Sequence, residues 1–304
     1  MSGRSAIELA DLKSFVCVVE TGSIARAASR QGVAKSIISR RINRLECVLG
    51  ATLLVRAARG TSPTDIGRDY YLRATEGVAQ LEQAQEAVGK AVGEVSGPIR
   101  VSIPHGFGET YFAPLFADFA REHPRIQIDL CFDDRTDVIA GGFDLAVQAG
   151  NLRDSSLITK RLTKLRTVIV ASPAYLDKKG RPSDPTELAA HDLVVDSSCA
   201  AQWTLQGKNG YEHVRINSRL RTNNKHMLVT AARADIGIVA VPFIMVRGLI
   251  DSGEIEIVLP DYTHEEVGVH LLVPPARVKI ARVRALMDYL SGRSCHDKLS
   301  QPNL

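Results

Sequence analysis

The stretch "AKSIISRRINRLE", residues 34–46, sets three arginines within five residues on a segment threaded with isoleucine. Its apolar positions Ile38, Ile42 and Leu45, continued by Leu49, fall at i, i+4, i+7 and i+11, one stripe along an α-helix. Gly50 follows as a helix stop. Such a helix must bury its apolar stripe and present its basic face, and the flanking sequence says to what.

Upstream, Leu9, Leu12, Phe15, Val16 and Val19 recur at steps of three and four, and Thr21-Gly22 ends that helix. Ser23 is placed to cap a short second helix, "IARAASRQG", whose Ala25, Ala27 and Ala28 permit close packing and whose Gly32 closes it. Two helices joined by a short turn behind a first helix make a helix-turn-helix. Downstream, "TLLVRAARGTSPT" reads as two short strands around "AARG", a small wing. From Asp65, read as a cap, a proline-free run carries Tyr71, Ala74, Val78, Leu81, Gln85, Val88, Val92 and Val95 at alternating steps of three and four. That seam suits two copies pairing lengthwise, so residues 65–96 are expected to form a dimerising linker helix.

"SGP" at 96–98 marks the next boundary. Beyond it, short apolar runs such as "IRVSI", "QIDLCF", "LAVQAG", "TVIVASP", "LVVD", "IGIVAVP" and "VGVHLLVPP" alternate with helical stretches. They imply an α/β fold with a largely parallel sheet, divided into two subdomains because the segment is long for one sheet. The expected organisation is a winged helix-turn-helix over 1–64, the linker over 65–96, an effector and oligomerisation domain over 97–292, and a flexible tail over 293–304.

Charge follows the same division. The chain carries a net +4 overall, but residues 1–68 carry +6 and the remainder −2, so the positive field belongs to the N-terminal module. A basic module joined to a near-neutral one suggests polyanion binding coupled to a second task. The five cysteines are scattered without a CxxC pair, which supports neither a disulfide framework nor a metal site. No apolar run is long enough to span a bilayer and residues 1–10 lack a signal-peptide core, so a cytoplasmic location without membrane contact is expected.

Phe15, Gly22-Ser23, Ala27-Ala28, Ser39-Arg40, Ile42, Leu45-Glu46, Leu49-Gly50, Leu53, Arg56, Thr64 and Gly67 together resemble the LysR-type transcriptional regulators. "SGPIRVSIP", "FAPLFADFAREHP", "GFDLAVQAG", "ASPAYL" and "TNNKHMLVTAARADIGIVAVP" resemble that family's effector domain. The resemblance spans about residues 7–290. It implies a dimerising linker helix, a two-lobed domain like periplasmic binding proteins, and a homo-oligomer that is commonly a tetramer. The implied partners are double-stranded DNA bearing an interrupted palindrome in a promoter, a small-molecule effector, and RNA polymerase if the output is activation.

Residues and resemblance agree on the third helix as the reader of the major groove. Ala34, Lys35 and Ser36 form its leading edge, and Ser39, Arg40 and Arg44 project from nearby turns. The family commonly has Gln and Pro where this chain has Lys35 and Ser36. Lysine donates to guanine whereas glutamine suits adenine, so a shifted base preference is expected. Ser23, wing residues Arg59 and Thr61, and the further arginines Arg26, Arg30 and Arg56 are candidates for backbone contact. In the effector domain, Ser102, His105, Gly106 and Phe107 fall where a strand runs into a helix, a place where free N–H groups favour a polar or anionic ligand. The resemblance adds Gln148, Ala149, Ser198, Cys199, Asn223 and Asn224 to that cleft, with Lys225 and Trp203 as further neighbours. Cys199 raises a redox-sensing reading, which a thiol without an evident partner does not support.

An enzyme would need a signature that the sequence lacks: there is no HExxH, P-loop, GxGxxG after the first strand or GxSxG, and no cofactor or metal is expected. A solute-binding transport receptor would share two lobes but has no use for a basic helix-turn-helix.

Overall fold

The computed structural model describes residues 6–294 apart from 58–59, 91–94, 135, 140, 151, 153–155, 198–201, 209 and 265. The head contains α1 (Leu9–Thr21), α2 (Ile24–Gln31) and α3 (Lys35–Leu49), then an antiparallel wing of β1 (Leu54–Ala57) and β2 (Gly60–Pro63). Ser23 caps α2 by accepting from the Arg26 N–H, and Gly22, Gly32 and Gly50 end the three helices with φ between 62° and 66°. The apolar stripe of the opening stretch does as its spacing requires: Ile38, Ile42 and Leu45 are buried against Phe15, Ala27 and Ala28. Glu46 joins α3 to the wing by accepting from the Leu53 and Leu54 N–H groups at 2.7 and 3.0 Å.

The linker helix α4 (Asp65–Lys90) is capped by Thr64, whose hydroxyl accepts from the Gly67 N–H at 2.9 Å, rather than by Asp65. Its seam is not free for a second copy along its first half. Tyr71 and Ala74 are buried in the head core, and Val78 and the neighbouring Ala79 are also covered within the chain. Heptad spacing identifies an apolar face, but the chain's own head and effector domain cover this one. Leu81 and Gln85 are exposed, the side chain of Val88 and the whole of Val92 lie outside the described residues, and Val95 packs on the effector core.

The first part of the effector domain runs through β3 (Gly97–Ile103), a π-helical turn (Gly108–Phe112), α5 (Ala113–Glu122), β4 (Ile126–Phe132), β5 (Leu145–Ala149) and β6 (Ile158–Leu165). The chain then crosses into β7 (Thr167–Ala171), α6 (Pro173–Lys179), β8 (Leu193–Asp196), β9 (Gln202–Gly207), β10 (Gly210–Arg215) and β11 (Ser218–Thr222). It continues through α7 (Lys225–Arg233), β12 (Ile238–Pro242), α8 (Phe243–Asp251), β13 (Glu256–Ile257) and β14 (Thr263–His264). Finally it returns by β15 (Val267–Val273), α9 (Pro275–Val278) and α10 (Ala281–Ser294).

Two five-stranded sheets result, ordered β4-β3-β5-β15-β6 and β11-β8-β12-β7-β13, with a three-stranded β10-β9-β14 beside the second. Both are mixed rather than largely parallel. β15 runs antiparallel to β5 and β6, and β7 antiparallel to β12, because the strands that cross between subdomains enter each sheet against its local direction. The crossings lie at Leu165–Thr167, between β6 and β7, and just before Val267, between β14 and β15. α10 continues through Ser294, two residues into the tail expected to be flexible; the rest of that tail lies outside the described residues.

Candidate DNA-reading surface and effector cleft

Ala34, at the N-cap of α3, offers no side-chain cap, and Ala34, Lys35 and Ser36 are all exposed. First-turn N–H groups left in this way favour a phosphate oxygen, as does the positive end of the helix dipole. Ser39 is half-buried and Arg40 exposed one turn on.

The three arginines of the opening stretch have separate fates. Arg44, expected to contact DNA, is engaged inside the head. Its guanidinium makes paired hydrogen bonds to Glu8, both at 2.7 Å, and to Asp11, at 2.7 and 2.5 Å, and Asp11 is fully buried. Those charge-assisted bonds use four of its five N–H donors and fasten α3 to α1; they also push its pKa upward, the Asp11 hydrogen bonds contributing most. Arg41 donates to Ser14 at 3.2 Å and Gln31 at 3.3 Å. Arg40 makes no ion pair or side-chain hydrogen bond among the described residues. Arg30 is likewise engaged within the chain, donating to Glu20 at 2.8 Å and to the Gly142 carbonyl at 3.3 Å. Ser23 is occupied as a cap, and Thr61 sits on β2 with its N–H bound to the Gly22 carbonyl at 2.9 Å, which docks the wing on the helix-turn-helix. Arg59 and the side chain of Arg56 lie outside the described residues.

Between the two five-stranded sheets is a cleft of about 730 Å³. His105, Phe107, Gln148, Ala149 and Asn223 line it, as does Lys225. Other expected residues serve its walls. Ser102 is buried and shares a 2.5 Å hydrogen bond with Thr136, which does line the cleft. Asn224 caps α7 by accepting from the Met227 N–H at 3.1 Å. Gly106 packs against Lys225 and Met245 across the subdomain boundary. Trp203 is a core residue, 3 % exposed, and not a cleft residue. Ser198 and Cys199 lie outside the described residues.

Sequence reading missed Asp133, Asp134 and Asp196 in the lining. The available signal was their position at the carboxyl ends of β4 and β8, where open α/β sheets bind ligands. Their presence changes the electrostatics expected. The His105 N–H, one of those read as free for an anion, donates to Asp134 at 2.9 Å, and the Gly106 N–H donates to Glu109 at 3.3 Å. Lys225 pairs with Asp196 at 3.5 Å. At the rim, Glu109 also takes hydrogen bonds from His105 and His226; burial raises its carboxyl, but these bonds outweigh it and hold the group below the ordinary glutamate value.

Two family models divide the chain as the fold does. The "Bacterial regulatory helix-turn-helix protein, lysR family" model matches residues 9–68, and the "LysR substrate binding domain" model matches residues 93–294. The chain belongs to the LysR family of transcriptional regulators.

An HTH-type transcriptional regulator of Xanthomonas campestris pv. campestris is 32 % identical to this LysR-type chain, covering 94 % of it and 85 % of the relative. YhjC of Escherichia coli K12, an uncharacterized HTH-type transcriptional regulator, is also 32 % identical, covering 92 % and 96 %. The full-length structure of the Vibrio cholerae virulence activator AphB superposes with a TM-score of 0.62 at 28 % identity, covering 94 % of this chain and 99 % of that one. LysR-type regulators bind DNA and small-molecule effectors and form oligomers. The enzyme and transport readings fall with this membership. No helix among the described residues is long and apolar enough to cross a membrane.

Proposed function

We propose that this regulator acts in the cytoplasm as a homo-oligomer, built on dimers paired through the remaining exposed part of α4 and further assembled as a tetramer. Two heads grip an interrupted palindrome in a promoter, and the protein contacts RNA polymerase if it activates. The observation that carries the reading is the exposed, uncapped edge Ala34–Ser36 with Arg40 beside it, while Arg41 and Arg44 are committed within the head. Ala34, Lys35, Ser36, Ser39 and Arg40 read the major groove, and Arg59 and Thr61 serve the wing. Binding to the DNA upstream of the coding region, measured against a scrambled duplex across a salt series, is the test. Specific binding that weakens steeply with salt is expected, and equal weak binding to both duplexes would overturn the assignment.

A small effector in the cleft shifts the populations of head arrangements by binding one of them more tightly. Described carboxylates Asp133, Asp134 and Asp196 against Lys225 favour a ligand with cationic or hydroxyl groups over an anion. Thermal stabilisation by phenethylamine but not by 3-phenylpropionate is the expected ordering; the reverse would restore the anionic reading.

A further inference from the structure

Glu20, in the last turn of the head's first helix, has a side chain only 4 % exposed, and it meets charge from several parts of the chain. Arg30 donates to one carboxylate oxygen at 2.8 Å, and Arg277 of α9 stands 3.9 Å from the other. Arg277 also reaches Glu82 on the linker helix at 3.2 Å and Asp144, just before β5, at 3.3 Å. Glu82 takes a second arginine, Arg282 of α10, at 2.7 Å. Glu20, Glu82, Asp144, Arg277 and Arg282 have side chains no more than 19 % exposed. Head, linker and effector domain therefore meet in one buried charge network.

The surrounding contacts form a socket for the head. Ile139 packs its side chain on the head core and accepts from the Tyr71 hydroxyl at 3.2 Å. The Gly142 carbonyl accepts from Arg30 at 3.3 Å. At Gly142 φ is +63°, and a Cβ there would stand 2.3 Å from the Glu20 carboxylate, so both backbone conformation and space require glycine.

We propose that this junction is a positioning device for DNA reading: it holds each head at one angle to its own effector domain and so sets the spacing of the half-sites an oligomer accepts. The proposal rests on the reading that two heads grip one operator. An exposed ion pair would hold the angle loosely, since water replaces it at little cost. A buried network is either made or broken, because separating one member strands charge away from water. The geometry is sensitive. A head about 20 Å across, roughly the length of its 15-residue third helix, tilted by about 10° moves its reading edge by about 3.5 Å, close to one base-pair rise.

The test uses full-length protein and duplexes carrying two half-sites from its upstream region, with the spacer changed one base pair at a time. Arg277→Met removes the shared cation, and Gly142→Ala wedges the socket at Glu20. Arg233→Ala, which breaks an exposed pair with Glu254, is the control. Wild type and control are expected to show a sharp spacing optimum, with neighbouring spacers about tenfold weaker, whereas Arg277→Met flattens the profile to within about threefold and Gly142→Ala shifts or flattens it. Affinity for a single half-site stays unchanged in every variant, which a merely unfolded head would not give. Wild-type profiles in both variants that retain half-site binding would overturn the proposal, as would a wild type indifferent to spacing. Failure of the wild type to prefer its upstream DNA over a scrambled duplex would instead remove the reading beneath it.

Discussion

His264 makes stability in the second subdomain depend on pH in a way that can be computed and then measured. It lies on β14 with its ring edge against Trp203, centroids 5.4 Å apart, and its Nε2 is sealed from solvent without a hydrogen-bond partner among the described residues. Burial pushes its pKa down from 6.5 to about 4. The unfolded chain thus takes the proton first as pH falls. The stability linked to this group is fully present above pH 6.5 and is lost progressively as pH drops toward 4. Proton linkage with those two values gives a loss of about 2 kcal/mol between pH 7 and pH 5, rising to about 3 kcal/mol in stronger acid. Trp203, the chain's single tryptophan, reports on this packing directly. Urea unfolding followed by its fluorescence should show the gap between wild type and His264→Phe shift by about 2 kcal/mol in favour of the variant on moving from pH 7 to pH 5. Phenylalanine keeps the ring contact and removes the titration, so other groups cancel in the comparison. An unchanged gap would refute the argument that this imidazole is kept neutral by burial.

Arg40→Ala should weaken binding to the upstream DNA by about tenfold, in the range of a lost base or phosphate contact, with no change in melting temperature measured by scanning fluorimetry. Arg44→Ala should do the opposite first, lowering the melting temperature because fully buried Asp11 loses its cation; a normal melt with lost DNA binding would restore Arg44 to the reading surface. Gly67→Ala should cost about 2–3 kcal/mol in chemical denaturation, since a Cβ there would stand 2.0 Å from the Leu53 carbonyl and neither backbone can yield cheaply. A neutral result at Gly67 would mean that the first turn of α4 slides freely on the wing.

Local pattern sufficed for much of this protein. Periods of three and four, Ser23 as a cap and Gly22, Gly32 and Gly50 as stops mark the head's helices, because helix formation depends on residues within a turn or two of one another. The burial of Ile38, Ile42 and Leu45 and the placing of His105 and Phe107 at a strand's carboxyl end followed from the same short range. Strands β6, β9 and β10 are not legible in the sequence: "ITKRLTKL", "QWTLQG" and "GYEHVR" are polar on one or both faces, and what makes them strands is pairing, of β6 with distant β15 and of β9 with its hairpin partner β10 and with β14.

Partnership is what the sequence by itself did not determine. Arg40, Arg41 and Arg44 are indistinguishable as neighbours in a chain, yet Glu8 and Asp11, more than thirty residues away, pair with one of them and tie it to the head. The seam of Tyr71, Ala74 and Val78 announced an apolar face without saying that the chain's own head and effector domain would cover it. Glu20, Glu82, Asp144 and Arg277 are scattered surface-type residues until folding gathers them. The amino-acid order thus marked the helices of the head and the family, while tertiary structure decided which charges are paired within the chain and which stay exposed, because a charge's role depends on the neighbours and water it is left with after the chain has packed.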